Sequence, residues 1–506
     1  MTVTARNSGN IVKNTFMLYI RMLLIMAVTL YTSRIVLEKL GIEDFGIYNL
    51  VAGVVVLFSF INNAMATATQ RFLNFELGKG NIDEVKRVFS MSMTAHISIA
   101  LLVLFLAETV GLCFFYEKMN IPDDRMNASL WCYHFSILIA CVQIIRVPYN
   151  SCIIAYEKMA FYAYISILEV LLNLLIAFLL TVSNSDRLIL YSILMFLVTL
   201  FICCGYKFIC NRYFVISKYT FFWDYGLYKK MISFSGWSLL GSAANVGVQQ
   251  GLNILLNIFY GVTLNAAMGI ANQVSRAVYN FVSNFQIAFN PQIVKSYASG
   301  DYAYFEQLVF KASKFSYFLL FLVSLPVLLK SDFLLSVWLK EVPEYAVSFS
   351  QLIICFLLID ALSAPLWTSA QAIGQIRNYQ LLMSCIILMN LPLSYIALKF
   401  AAKPETILMI RVIINFVAWI IRFFYLHNKI AFPIGKYLKD VFGIVLIITI
   451  LSIPFPLWIS RIYTSWTGLI ITSLCSIFTT VLVIYLIGLK KSERIYIANF
   501  VQSKLK

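Results

Sequence analysis

The sequence predicts an all-α polytopic membrane protein of about 14 transmembrane helices, arranged as two six-helix lobes followed by two C-terminal helices. Three observations carry that expectation. The 506 residues are 61% hydrophobic and only 12% charged, with a mean hydropathy of +0.83, whereas soluble domains carry roughly 25% charged residues. The apolar residues are gathered into runs long enough to span a bilayer. Positions in the first half recur in the second at a nearly constant offset. The same composition excludes a soluble globular, disordered, collagenous or coiled-coil chain.

A helix needs about 20 mainly apolar residues to cross the hydrocarbon. A window of that length places spans at 16–36, 45–69, 89–115, 130–155, 160–182, 188–209, 231–259, 264–293, 310–329, 346–373, 381–400, 407–425, 441–459 and 466–487. Several of them are long enough to require tilt or protrusion into water. The polar start through Asn14 leads into an apolar run too long for a signal-peptide core, so the first helix is expected to be retained.

Thirty-nine Lys and Arg against 23 Asp and Glu leave a net charge of +16. These cations punctuate apolar runs instead of forming a soluble basic face, so they read as topology signal plus attraction for anionic lipid or substrate, not for nucleic acid. With the N-terminus inside, the outer loops hold only Arg34, Lys39, Lys118, Arg125, Arg187, Lys330, Lys340, Lys399, Lys403 and Arg461. Most of the others, including Lys79, Arg87, Lys229, Lys230, Lys436 and Lys490, fall inside, so both termini are expected in the cytoplasm.

The repeat is read from matched punctuation. Gly41 corresponds to Gly261, Gly80 with Val88-Phe89 to Gly300 with Val309-Phe310, and Pro122 to Pro343. At one fixed offset of 217, Pro148, Ala155, Tyr162, Asn173 and Leu174 match Pro365, Ala372, Tyr379, Asn390 and Leu391. Units of six helices enter the membrane from the same side, which predicts a parallel repeat with two lobes facing a central cavity. The expected organisation is an N-terminal lobe over 1–210, a basic, aromatic interfacial linker over 211–230, a C-terminal lobe over 231–428, and two extra helices with a basic tail over 429–506.

An arginine at a helix centre costs roughly 2.5–3.5 kcal/mol on insertion scales, so it generally faces water, a partner or a substrate. Arg21 lies early in the first span and Arg276 near the middle of the eighth. Around Arg276 the sequence ANQVSRAVYNFVSN aligns Asn272, Arg276, Asn280 and Ser283 or Asn284 on one helical face. The seventh span carries a comparable line: Ser242, Asn245, Gln249, Asn253 and Asn257. The second has a ragged polar edge of Ser59, Asn62, Asn63, Thr67 and Gln70, and Asn14 precedes Arg21 by one heptad. Spans one, two, seven and eight would together line a wet, cationic cavity. For any single Asn, interhelical hydrogen-bond glue is the commoner role, and Gly247-x-x-x-Gly251 reads equally as a close-packing motif. Arg21 stands between cavity lining and snorkelling. Glu169 and Asp360 are open to two roles, internal ion pairing or ion coupling.

No enzyme signature is present: the three histidines are scattered, and Walker A, G-x-G-x-x-G, G-x-S-x-G and H-E-x-x-H patterns are absent. The ten cysteines lie mostly in apolar segments without C-x-x-C spacing, so neither a metal site nor a disulfide framework is expected, although Cys113 and Cys132 flank one predicted loop. No cofactor is called for. Pro148 and Pro365, at matching places, are expected to kink their helices.

The six-plus-six-plus-two pattern, with the segments LEKLGIEDFGIYNLV, ATATQRFLNFELGKGN and VWLKEVPEYAVSFSQL, resembles the Wzx-type oligosaccharide flippase, or polysaccharide transporter, branch of the multidrug/oligosaccharidyl-lipid/polysaccharide (MOP) exporter superfamily. The resemblance covers essentially the whole chain. It implies a MATE-like fold and a flippase moving undecaprenyl-pyrophosphate-linked oligosaccharide units across the bacterial cytoplasmic membrane by alternating access, for O-antigen, capsule or exopolysaccharide assembly. It further implies a cationic cavity among helices one, two, seven and eight, a lipid-tail groove at the last two helices, and partnership with a polymerase and chain-length machinery. A MATE-type drug or cation antiporter shares the fold, with Glu169 or Asp360 as its coupling carboxylate. A membrane polysaccharide polymerase is the remaining class, disfavoured by the short outer loops.

Overall fold

The computed structural model describes residues 3–56, 59–118, 121–183, 185–260, 262–339, 342–463, 465–490 and 493–494. Among them are helices and turns and no strand. In chain order the helices are α1 (Val3–Val56), α2 (Ser59–Lys79), α3 (Ile82–Leu106), α4 (Leu112–Lys118), α5 (Met126–Ala155), α6 (Met159–Val182), α7 (Arg187–Tyr213), α8 (Tyr225–Tyr260), α9 (Val262–Ala298) and α10 (Tyr302–Leu329). There follow α11 (Ser331–Trp338), α12 (Ala346–Ile373), α13 (Ile376–Leu388), α14 (Asn390–Lys399), α15 (Thr406–Ile430), α16 (Ile434–Tyr437), α17 (Ile444–Ser452), α18 (Pro454–Ile462) and α19 (Trp466–Val483).

Among the described residues, eleven helical stretches are long and apolar enough to cross a membrane. The expected spans outside that set are the second, whose description is interrupted at 57–58, and the seventh and eighth, carried by α8 and α9. Lines of Asn, Gln and Ser lower the apolar density of those two helices, which run 36 and 37 residues. The first two spans meet within α1 at Gly41, whose φ of 81° and ψ of 169° only glycine adopts without strain. Pro392 falls in the first turn of α14; in an unbroken helix its ring would clash with the carbonyl four residues back, and the eleventh span is divided there into α13 and α14. Pro454 divides the thirteenth in the same way, starting α18.

The chain forms two compact units. Unit 1 comprises Met1–Ala243 with Val294–Asp301, and unit 2 comprises Ala244–Ile293 with Tyr302–Lys506. In unit 1, α5 packs on α7, α3 and α2, while α1 packs on α6. Its core includes Leu73, Phe89, Tyr149 and Tyr206 in one cluster and Phe115, Tyr133 and Leu188 in another. In unit 2, α12 packs on α10 and α15, and α10 and α18 pack on α19. Trp419 is buried there, edge-on to Phe423 at 4.6 Å. Many buried serines are satisfied by their own helix, as in Ser92 Oγ to the Val88 carbonyl at 2.7 Å and Ser350 Oγ to the Ala346 carbonyl at 2.7 Å.

Residues 217 apart share backbone geometry as well as identity. After α5, Glu157 takes φ 58° and donates its N–H to the Ile154 carbonyl at 2.9 Å. After α12, Gly374 takes φ 88° and donates to the Gln371 carbonyl at 3.0 Å. Lys158 and Gln375, the next residues, cap α6 and α13 with closely similar dihedrals. Gly80 and Gly300 make the other matched turn, with φ of 75° and 78°. Gly261, the expected counterpart of Gly41, lies outside the described residues. Pro148 and Pro365 sit inside α5 and α12. The basic, aromatic segment between the sixth and seventh spans has no regular structure over 218–224, after a turn at Val215–Ser217, and α8 starts at Tyr225 with Asp224 Oδ1 accepting the Leu227 N–H at 3.0 Å.

Candidate functional site

The polar lines predicted on the seventh and eighth spans lie largely within unit 2. On α8, Asn245 and Gln249 are exposed and Asn253 is half-buried, with Asn253 Nδ2 donating to Gln250 Oε1 at 3.2 Å. On α9, Asn272 is half-buried while Arg276 and Asn280 are exposed. Each step of four residues advances about 40° beyond a full turn, so the three stay on one side of the helix. Arg276 Nε makes a long bond of 3.4 Å to the Asn272 carbonyl, and the Asn280 carbonyl accepts from Asn284 Nδ2 at 2.7 Å. No described carboxylate pairs with Arg276. The Gly247/Gly251 motif is half used: a Cβ on Gly251 would meet Leu391 of α14 at 2.5 Å, whereas Gly247 faces open space.

Arg21 belongs to unit 1. Its guanidinium lies 4.3 Å over the Tyr162 ring of α6, and Nη2 donates to the Tyr162 hydroxyl at 3.2 Å. The buried Nε has no partner, and no described carboxylate pairs with this arginine either. On the second span, the side chains of Ser59, Asn62 and Asn63 lie outside the described residues, as does that of Asn14 on the first.

The two acidic candidates have different settings. Glu169 of α6 pairs with Arg146 of α5 at 2.9 Å, and that arginine also covers the Tyr206 ring of α7 at 5.5 Å. The carboxylate therefore ties three helices of unit 1 together. Asp360 of α12 lies in the field of Arg411 and Arg422 of α15, and of Tyr279 of α9. Arg422 spends Nη1 on the Ser363 hydroxyl, and Arg411 stacks 4.4 Å over Phe356. Among the described residues no His, Cys, Asp and Glu gather as a metal-binding group. The ten cysteines are thiols, with Cys113 exposed and Cys132 buried.

Several polar groups escaped sequence reasoning. Arg125 clamps two carboxylates of unit 1: Nε and Nη2 hold Asp44 at 2.8 and 2.6 Å, and Nη1 and Nη2 hold Asp186 at 2.7 and 3.3 Å. Arg71 is buried between Phe72 and Phe75, 4.8 and 4.5 Å from their rings. Lys330, counted from sequence among loop cations, is buried and donates to the Ser460 carbonyl at 2.7 Å and to that of Tyr463, closing the end of α18. Lys314 is buried too, donating to the Gly488 carbonyl at 2.8 Å and pairing with Glu493 at 3.2 Å. The available signal was a charge within or beside an apolar run, but its partners are up to 179 residues distant in sequence.

Comparison with known proteins places this architecture. No family model matches the sequence. The chain is 29% identical over 121 residues to the uncharacterized membrane protein EpsK of Bacillus subtilis, a match spanning 24% of this chain and 23% of that relative. Solved structures align over most of the chain. The MATE transporter ClbM in complex with Rb+ superposes with a TM-score of 0.70 at 14% identity, covering 82% of this chain and 94% of its own. An outward-facing multidrug resistance MATE family transporter of the MOP superfamily gives 0.69 at 14%, covering 83% and 96%. A MOP superfamily transporter from Pyrococcus furiosus, described as having a binding pocket of reverse polarity that suggests a different function, gives 0.67 at 14%, covering 83% and 96%. The chain has the MATE-like fold of MOP-superfamily transporters.

Proposed function

We propose that this protein is a flippase moving undecaprenyl-pyrophosphate-linked oligosaccharide units between the leaflets of the bacterial cytoplasmic membrane by alternating access, with both termini cytoplasmic and a polysaccharide polymerase downstream. The observation that carries this reading is Arg276, which stands exposed on α9 between Asn272 and Asn280 with no described carboxylate beside it. A cation left unpaired midway along a membrane helix is costly unless an anion or water meets it. Guanidinium binds phosphate bidentately, and the amides of Asn245, Gln249, Asn253 and Asn280 match sugar hydroxyls as both donors and acceptors. Within unit 1, Arg21 is likewise a cation without a described carboxylate. The polyprenyl chain stays in lipid, so the protein moves only the polar end.

The test is Arg276→Ala in the native host. Loss of one charged phosphate contact, about 1.5–3 kcal/mol, predicts roughly a 10- to 100-fold fall in transport with membrane abundance unchanged and lipid-linked units accumulating on the cytoplasmic leaflet. Normal surface polysaccharide in that variant would refute the site. A cation-coupled drug antiporter is the second reading. It is favoured by Asp360, a carboxylate within unit 2 in the field of two arginines and of Tyr279, and by the MATE structures of like fold. Under that reading Asp360→Asn abolishes drug resistance and Arg276→Ala leaves it intact.

A further inference from the structure

A second unneutralised cationic feature lies wholly within unit 1. A cavity of about 490 Å³ opens among α3, α5, α7 and the segment after α7, and its lining includes Lys207, Asn211 and Lys218 from α7 and that segment and Met93 and Ile97 from α3. That volume is in the range of small-molecule pockets, about 300–1,000 Å³. Both lysines are exposed, the lining holds no carboxylate, and neither lysine has an ion-pair partner among the described residues. Three other cations of this unit are neutralised, Arg87 by Glu84 and Asp224, Arg146 by Glu169, and Lys295 by Glu157. Asn211 Oδ1 accepts the Ser217 hydroxyl at 3.2 Å, which leaves its amide N–H groups to donate.

The site is built rather than incidental. Tyr219, next to Lys218, shares a hydrogen bond of 3.2 Å with Thr94 Oγ1 of α3, so the segment that carries Lys218 is pinned over the cavity. A lining that combines two cations with the apolar side chains of Met93 and Ile97 suits an amphiphile, and a soluble anion would leave those apolar side chains wet. Around this end of α7, Phe208, Tyr213, Phe221, Trp223 and Tyr225 are exposed. Such a belt of aromatic residues sits at headgroup depth in a bilayer.

We infer that this cavity binds one anionic phospholipid, its phosphate between Lys207 and Lys218 and its upper chain against Met93 and Ile97. The inference does not rest on the flippase reading. A bound lipid joins α7 to the segment leading into α8, so its occupancy holds that segment on unit 1.

The experiment is native mass spectrometry of the purified full chain, stripped of lipid in neutral maltoside and titrated with dioctanoyl-phosphatidylglycerol. Dioctanoyl-phosphatidylcholine and inorganic phosphate serve as separate competitors. One phosphatidylglycerol is expected to bind, in preference to phosphatidylcholine. Basic residues near anionic lipid each contribute about five-fold in affinity, so Lys207→Gln with Lys218→Gln is expected to weaken it roughly 25-fold. Ile97→Trp, which fills the apolar side and keeps both lysines, is expected to weaken it as well. Undiminished binding in the double lysine variant, equal affinity for the zwitterionic lipid, or displacement by inorganic phosphate as effective as by the lipid itself would each overturn the proposal.

Discussion

Arg125→Met removes a clamp that joins three separate stretches of unit 1. Asp44 follows the Gly41 bend, Arg125 precedes α5, and Asp186 caps α7 by accepting the Leu188 and Ile189 N–H groups at 3.0 and 3.2 Å. The side chains of Arg125, Asp44 and Asp186 are 22%, 16% and 31% exposed. These pairs lie between surface ion pairs, worth about 0–1 kcal/mol, and buried ones, whose rupture costs about 3–5 kcal/mol. Asp186 keeps its two backbone donors after the substitution, whereas Asp44 loses both of its charge-assisted bonds, and two carboxylates are left facing each other. About 2–3 kcal/mol of destabilisation follows once solvent screening is allowed for, or roughly 4–10 °C in melting temperature for a unit of this size.

Thermal unfolding in detergent, followed by intrinsic tryptophan fluorescence, reads this directly. Arg125→Lys should recover part of the loss, because a lysine cannot reproduce the forked geometry. Asp44→Asn combined with Arg125→Met should cost less than the sum of the two alone. An Arg125→Met protein that melts with the wild type would refute the clamp. Acid gives a second reading. Burial raises the Asp186 carboxyl, but its bonds to Arg125 and to the Ile189 N–H outweigh that and hold it below the ordinary range. A carboxyl lowered by folding contributes stability that is complete above its unfolded value, about 3.9, and is lost as pH falls through the folded value. The wild type should therefore hold its melting temperature from neutrality to mild acid and lose this contribution only below about pH 4.

Three further outcomes test other parts of the structure. Gly78→Val should lower the melting temperature sharply, because a Cβ there would stand 2.5 Å from the Lys295 carbonyl and 2.8 Å from the Ala298 Cβ, whereas Gly205→Ala, which meets nothing within 4 Å, should be neutral or slightly stabilising. Lys330→Met strands the Ser460 and Tyr463 carbonyls and should destabilise unit 2 by about 2–3 kcal/mol, while Lys403→Met on the exposed surface should stay within about 0.5 kcal/mol. Glu169→Gln should lower stability and abundance by leaving Arg146 unpaired in its span, with Arg146→Met restoring both in the double variant. A stable Glu169→Gln protein that fails only in transport would instead make Glu169 a coupling residue.

Much of the fold was legible because its determinants are local. Apolar run length fixes where a helix can cross, Gly41 and Gly80 mark turns that need positive φ, and Pro392 and Pro454 mark breaks within spans. The repeat reached further than identity. Its offset leads from Gly374, a glycine in left-handed backbone, to Glu157, a residue that sequence alone gives no reason to place there. Glu157 also pairs with Lys295 at 2.6 Å, so the first copy of the turn carries an ion pair where the second uses a glycine.

The roles of the polar residues were far less legible, because in a membrane protein the pairing of a charge says more than its identity. Arg146 and Arg276 look alike in sequence, each a single arginine among apolar and small polar neighbours. Arg146 meets Glu169 across 23 residues and becomes part of the scaffold, whereas Arg276 finds no described carboxylate and remains available to an anion. The same distinction separates Lys330, whose ammonium closes a helix end, from Lys207 and Lys218, which line an open cavity. A positive-inside count needs only their positions along the chain and enters all of them alike. It could not sort scaffold from site, because the partner that neutralises a buried cation is chosen by tertiary packing. Cations left without a partner after each unit has folded are therefore where an anionic ligand is expected to bind.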